Sequence, residues 1–97
     1  MNRHALTESE LAARLAELPG WEHLGGQIVK SYEFGSYASG VMFAAGVGQL
    51  ADTLDHHPAL FIGYQKVRVG MNTHDVGGIT DFDLTLAARI ERLSTGE

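Results

Sequence analysis

The chain has 97 residues, with 12 Asp or Glu against 7 Lys or Arg, five His, 12 Gly and no Cys. That length fits one domain spanning residues 1–97, and the lack of cysteine excludes both a disulfide scaffold and a thiolate zinc site. A net charge of -5 at pH 7 argues against a phosphate backbone as the main ligand, so no direct nucleic-acid partner is expected.

Residues Met1–Thr7 carry no apolar core followed by a small-residue cleavage site, so a cytoplasmic location is expected. Thr7 and Glu10 have the spacing of a capping box, with Leu6 able to staple onto Leu11. Leu11, Leu15 and Leu18 continue as a helical stripe until Pro19-Gly20 stops it. Trp21–Leu24 and Ile28–Phe34 read as strands joined through Gly25-Gly26. Ile28, Lys30, Tyr32 and Phe34 share one face of the second strand, and Lys30 interrupts its apolar alternation.

From Tyr37 to Leu54 the period is helical, with Val47, Leu50, Ala51 and Leu54 on one stripe. Gly40, Gly46 and Gly48 each cost this helix about 1 kcal/mol relative to Ala. Either tertiary packing tolerates them, or another helix backbone approaches the small stripe Gly40, Ala44, Gly48; the second reading is preferred. The most apolar stretch, Gly40–Ala51, falls short of the roughly 20 residues that cross a bilayer, and no membrane association is expected. Beyond Pro58 the chain is strand-like again, and Val67, Val69 and Met71 alternate with polar residues or Gly. A Gly77-Gly78 turn precedes a last helix capped by Thr80 and Asp83, with Ile79 able to staple onto Leu84 and with Phe82, Leu86, Ile90 and Leu93 as its buried face. The order α-β-β-α-β-β-α predicts an α+β fold: a four-stranded antiparallel sheet with three helices on one face.

Three of the five histidines, His56, His57 and His74, fall in loops flanking these elements. Imidazole gives and takes protons near neutrality, which makes such a cluster a candidate acid/base set. The alternative is a group of helix-end histidines that only bind loop carbonyls. Asp55 and Asp75 could add oxygen ligands, but adjacent histidines rarely converge on one ion and the i, i+4 spacing of helical zinc sites is absent. No metal and no cofactor are expected.

Asp52-x-x-x-His56-His57-Pro58, Tyr64, Thr73-His74-Asp75-Val76-Gly77-Gly78 and Asp83 together resemble the signature of the pterin-4a-carbinolamine dehydratase family. The similarity runs from the first helix to about Leu93 and includes Trp21. It implies a hydro-lyase that removes water from 4a-hydroxytetrahydrobiopterin in tetrahydrobiopterin recycling, beside an aromatic amino-acid hydroxylase, giving quinonoid dihydrobiopterin. By the same resemblance His56, His57 and His74 are the catalytic acid/base set, and Asp55, Leu60, Asn72, Thr73 and Asp75 fall at substrate-binding positions. Asp52 would orient a histidine, Tyr64 would support by packing, and Asp83 is accounted for as the Thr80 cap partner. Leu60 stands where the family commonly has Trp, Ile62 where it has Asn, and Asn72 where Ser is frequent. Losing an aromatic wall at Leu60 weakens stacking by roughly 0.5–1.5 kcal/mol. The resemblance also implies a homodimer or homotetramer. A second reading keeps the dehydratase-like fold as an interaction module, a transcription-factor dimerisation cofactor or protein-assembly factor.

Overall fold

The computed structural model describes residues 1–96. Helix α1 spans Glu8–Leu15, strand β1 Glu22–Leu24, β2 Gln27–Glu33, helix α2 Tyr37–Leu54, β3 Ala59–Ile62, β4 Lys66–Met71 and helix α3 Asp81–Thr95. The strands lie in the order β1-β2-β4-β3, each antiparallel to its neighbour. Gly25 and Gly26, with φ of 58° and 76°, supply the left-handed pair that a two-residue hairpin turn favours.

One face of the sheet carries the core. Ile28 and Tyr32 from β2 and Val67, Val69 and Met71 from β4 are buried together with Phe43, Val47 and Ala51 of α2 and Leu84, Leu86 and Ile90 of α3. The three helices therefore cover this face, while Ser31, Glu33, Lys66 and Arg68 on the other stay exposed. Lys30 belongs to the inner face, as the alternation implied. Its ammonium reaches Glu91 Oε1 at 2.5 Å and the Pro19 carbonyl at 2.9 Å, so a charge sits at the rim of the core with its own partners. Trp21 Nε1 and Tyr32 Oη donate to the same Glu91 oxygen. Burial works to raise the Glu91 carboxyl, but the donors, Lys30 first, outweigh it and hold it below the usual range. Burial, with Glu91 beside it, pushes the Tyr32 hydroxyl well above the ordinary tyrosine value.

Both capping boxes form, with Thr7 paired to Glu10 and Thr80 to Asp83. Three details differ from the sequence expectations. Helix α1 ends at Leu15, before Leu18, because Glu17 and Leu18 bond back only three residues and Leu18 precedes a proline, which disfavours helix. In α3 the buried set is Asp83, Leu84, Leu86, Ala87 and Ile90, whereas Leu93 is 37% exposed. The helix is thus turned so that Asp83, and not Phe82, leads the inner stripe. In α2 the small residues do not form an outward stripe. Gly40 and Ala44 are buried inside the chain, where a Cβ on Gly40 would touch Val67 and Phe34. The close helix approach falls at Gly46, where a Cβ would lie 3.0 Å from Leu93 of α3, and the space beside Gly48 is open.

All four residues of β3 are exposed at the sheet edge. Leu60 pairs with Val69 and Ile62 with Val67, which puts both side chains on the helix-bearing face, while Phe61, opposite Arg68, lies on the other.

Candidate active site

The end of α2 places the first two histidines. Asp55 adopts a left-handed conformation, φ 53° and ψ 44°, and its N–H bonds to the Asp52 carbonyl at 3.2 Å. The His56 N–H then bonds to the Ala51 carbonyl at 3.0 Å. This pair of bonds is a Schellman motif, with Asp occupying the position usually given to Gly. The reversal turns the chain sharply and sends His56 inward, where it is 8% exposed, and His57 outward, with 58% of its side chain exposed.

His56 Nε2 lies 2.6 Å from Oδ1 of Asp83, which is fully buried at the start of α3. The other Asp83 oxygen, Oδ2, accepts from Thr73 Oγ1 at 2.8 Å and from the Thr80 N–H at 2.9 Å. Thr73 and Thr80 hydroxyls are 2.7 Å apart, and Thr80 Oγ1 accepts from the Phe82 N–H. Proton counting orders the chain. Each hydroxyl has one proton, so the line runs Phe82 N–H to Thr80 hydroxyl to Thr73 hydroxyl to Asp83. With Asp83 accepting, Nε2 of His56 carries a proton and Nδ1 is left as the ring nitrogen for other chemistry. No buried side-chain polar atom among the described residues lacks a partner.

The same carboxylate holds Thr73, the residue before the third histidine, while His74 itself is exposed. Thr73 precedes the 3₁₀ turn His74–Val76, which closes through the Thr73–Gly78 bridge, with the Val76 and Gly77 N–H groups on the Thr73 carbonyl. Asp83 therefore links the loop after α2 to the loop after β4, carrying His56 and His74 respectively. His57 Nε2 is 3.0 Å from Asp52 Oδ1, an exposed pair one turn back on α2. The Phe82 ring sits 5.8 Å from the His56 ring.

The remaining residues expected at the site have different surroundings. The Asn72 amide donates to the Gly26 carbonyl at 3.3 Å, toward the β1–β2 turn. Both Asp75 oxygens are taken by Arg3 Nη2, at 2.7 and 2.6 Å, and this guanidinium holds the carboxyl below the usual range. Asp55 and Leu60 are exposed on either side of the His56-His57-Pro58 segment. Tyr64 is 76% exposed at the far end of β3, about 13 Å of strand away from Pro58. There it lines an open cleft of about 450 Å³ with Phe61 and Lys66. Among the described residues no group of three His, Asp or Glu side chains is arranged to hold a metal ion.

Reading Asp83 as a cap alone captures half of its role, since its second oxygen serves His56. A signal for this lay in the spacing. Asp83, Leu86, Ala87 and Ile90 fall at i, i+3, i+4 and i+7, which makes Asp83 the polar member of a buried stripe. Arg3 and Phe82 carried no comparable signal, because their contacts join segments far apart in the chain.

Comparison with known proteins finds chains similar to this one along most of its length. The family described as "Pterin 4 alpha carbinolamine dehydratase" matches residues 4–93. Curated proteins named "Putative pterin-4-alpha-carbinolamine dehydratase" include one from Natronomonas pharaonis, 44% identical over 92% of this chain and 95% of its own. Another, from Streptomyces avermitilis, is 41% identical over 94% of this chain and 91% of its own. A crystal structure described as a transcriptional coactivator/pterin dehydratase from Brucella melitensis superposes with a TM-score of 0.89 at 32% identity, covering 94% of this chain and 99% of that one. A pterin dehydratase-like RuBisCO assembly factor of the alpha-carboxysome shares the fold, with a TM-score of 0.62 at 21% identity over 76% of this chain and 86% of that one.

Proposed function

The chain belongs to the pterin-4a-carbinolamine dehydratase family, and from that premise we propose that it removes water from a 4a-hydroxytetrahydropterin by histidine acid/base catalysis. In that reaction the bond between C4a and the hydroxyl oxygen breaks, a ring nitrogen gives up its proton, and the departing hydroxide takes one to leave as water. The product is a quinonoid dihydropterin. Two proton transfers near neutral pH are work that imidazoles perform, each supplying about 10²–10⁴-fold.

The observation that carries the reading is the buried line from Thr80 through Thr73 and Asp83 to His56. It fixes the ring orientation and tautomer of one imidazole, which is the preparation a proton-transfer group needs. In this reading His56, His57 and His74 are the acid/base set, with Asp52 paired to His57 and Asp83 a positioning residue for His56. Asp55, Leu60, Asn72 and Asp75 border the pterin, the buried Thr73 acts behind them through Asp83, and Tyr64 is a supporting residue. The setting is cytoplasmic tetrahydrobiopterin recycling beside an aromatic amino-acid hydroxylase. The test is to generate the 4a-hydroxypterin in situ and follow its ultraviolet decay. Wild-type protein accelerates the decay and a His56→Ala, His57→Ala double variant does not; equal rates for the two would overturn the proposal.

A homo-oligomer is the second part of the reading. Supporting it are the unpaired outer edge of β3, with Phe61 64% exposed, and the outward residues Tyr37 and Met42 of α2, 55% and 74% exposed. An open strand edge is a template for pairing with another strand. Sedimentation decides between dimer, tetramer and monomer. The same exposed surfaces favour, as the rival reading, an interaction module with weak or no pterin turnover. A protein that binds a dihydropterin without accelerating the decay would support that rival.

A further inference from the structure

Residues 2–6 lie outside any helix or strand, yet they are tied at several points to the segment that carries His74 and opens α3. The Asn2 N–H donates to Asp81 Oδ2 at 3.3 Å. Arg3 Nη2 donates to both oxygens of Asp75, the residue after His74, and the Arg3 guanidinium stands 5.1 Å from the centre of the Phe82 ring. The Leu6 N–H donates to the Ile79 carbonyl at 2.8 Å. At Gly78 a Cβ would come within 3.1 Å of Ala5 Cβ, so the glycine admits the segment at close range. Arg14 of α1 meanwhile pairs with Asp81 at 2.8 Å, anchoring the helix that follows these residues to the same region.

We propose that residues 2–6 form a strap across the His74 turn, and that Arg3 is a positioning residue which holds this turn in its binding-competent form. The inference rests on the dehydratase reading for its catalytic part, and the mechanical part stands on the contacts alone. The turn needs such help. His74–Val76 is a single 3₁₀ turn with no buried residue, and the Thr73 side chain before it is spent on Asp83 and Thr80, so it makes no capping bond to the turn. Such a short exposed element opens easily on its own. Arg3 grips it at Asp75 and also touches Phe82, whose ring contacts His56. A continuous set of contacts thus runs from the strap to both loops that carry the histidines. The guanidinium is suited to both tasks, because one planar group hydrogen-bonds a carboxylate and lies over a ring.

The expected effect of loosening the strap is a population effect. If the turn is closed only part of the time, apparent substrate affinity falls by that fraction while turnover of bound substrate is kept. Arg3→Ala should therefore raise KM about fivefold with kcat within about twofold of wild type. Amide exchange at Val76 and Gly77, which follows the open fraction, should accelerate by at least about fivefold, while the core amides of β4 keep wild-type rates. Arg3→Lys should restore part of both effects. Gly78→Ala, which pushes on Ala5, should reproduce them with Arg3 intact.

In a cycle scored by exchange, Arg3→Ala and Asp75→Asn should not add, since both remove one link. Unchanged exchange in Arg3→Ala overturns the strap, as does full additivity in the cycle. Faster exchange with unchanged KM overturns the positioning role. A wild-type protein without dehydratase activity counts against the proposed reaction and leaves the exchange comparison to decide the strap.

Discussion

Asp83→Asn separates the two duties of the buried carboxylate. In the wild type Oδ2 serves Thr73 and the Thr80 N–H while Oδ1 faces His56 Nε2. Asparagine has one acceptor and one donor end. Turning its NH₂ toward Thr80 would set donor against donor, so its oxygen stays on the cap and its NH₂ faces His56. The imidazole must then accept at Nε2 and carry its proton on Nδ1, the reverse of the native tautomer. Three bonds to a charged group, worth about 1.5–3 kcal/mol each, become neutral ones worth about 0.5–1.5. The expected destabilisation is about 3–4 kcal/mol, a fall in Tm of roughly 4–8 °C per kcal/mol for a domain of this size. Activity should suffer more, with kcat lower by about 10²–10⁴-fold. Asp83→Ala, in contrast, leaves three buried donors without their acceptor and should cost more than about 5 kcal/mol. Thermal unfolding, decay of the 4a-hydroxypterin and nitrogen chemical shifts of the His56 ring measure the three quantities. Wild-type turnover with a reversed tautomer would refute the link from Asp83 to catalysis. A variant Asn as unstable as Ala would refute the hydrogen-bond assignment.

Further outcomes follow from other positions. Leu60→Trp, at the exposed inner-face position on β3, should tighten dihydropterin binding by about 0.5–1.5 kcal/mol, read by titration calorimetry; unchanged affinity would remove Leu60 from the pocket wall. Gly48→Ala adds a Cβ into open space and should stabilise by about 1 kcal/mol through helix propensity, measured in urea. A loss of stability and of assembled mass in that variant would instead put Gly48 in a helix contact between subunits. Glu91→Gln should be less stable than wild type at pH 7. Glu91 is held below its ordinary 4.5 when folded, so its contribution is fully present above that value and is lost as pH falls through the folded one. The gap between the two proteins should therefore close in acid, followed by circular dichroism in urea; a gap that widens there would refute the Glu91 assignment. Glu91 lies eight residues beyond Asp83, about 12 Å along α3. Fluorescence of Trp21, bonded to Glu91, consequently reports unfolding more directly than events at His56.

The order of elements was legible in the sequence because its signals are local. Capping boxes, the Gly25-Gly26 turn and the alternation of Val67, Val69 and Met71 each occupy a few consecutive residues and act through backbone geometry. The family was legible too, since a fixed spacing of Asp, His, Tyr and Asp survives in the linear text. What remained out of reach depended on which way an element turns about its own axis. Gly40 and Ala44 look like an exposed small stripe until α2 is laid on the sheet, when Val67 and Phe34 cover Gly40. Leu93 extends the stripe of α3 on paper, but packing against Gly46 leaves it at the rim.

The candidate site shows the same division. Sequence alone determined that His56, His57 and His74 flank helix and strand ends, since chain breaks and caps fix those ends locally. Only the tertiary structure decided that Asp83 receives His56 with one oxygen and Thr73 with the other, because that meeting joins residues 27 and 10 positions apart. The strap from Arg3 to Asp75 spans 72 positions. Local physics sets where each element begins and stops; which side chains share a buried carboxylate is set by the packing of distant elements, where leaving one polar group unpartnered would cost about 1–3 kcal/mol.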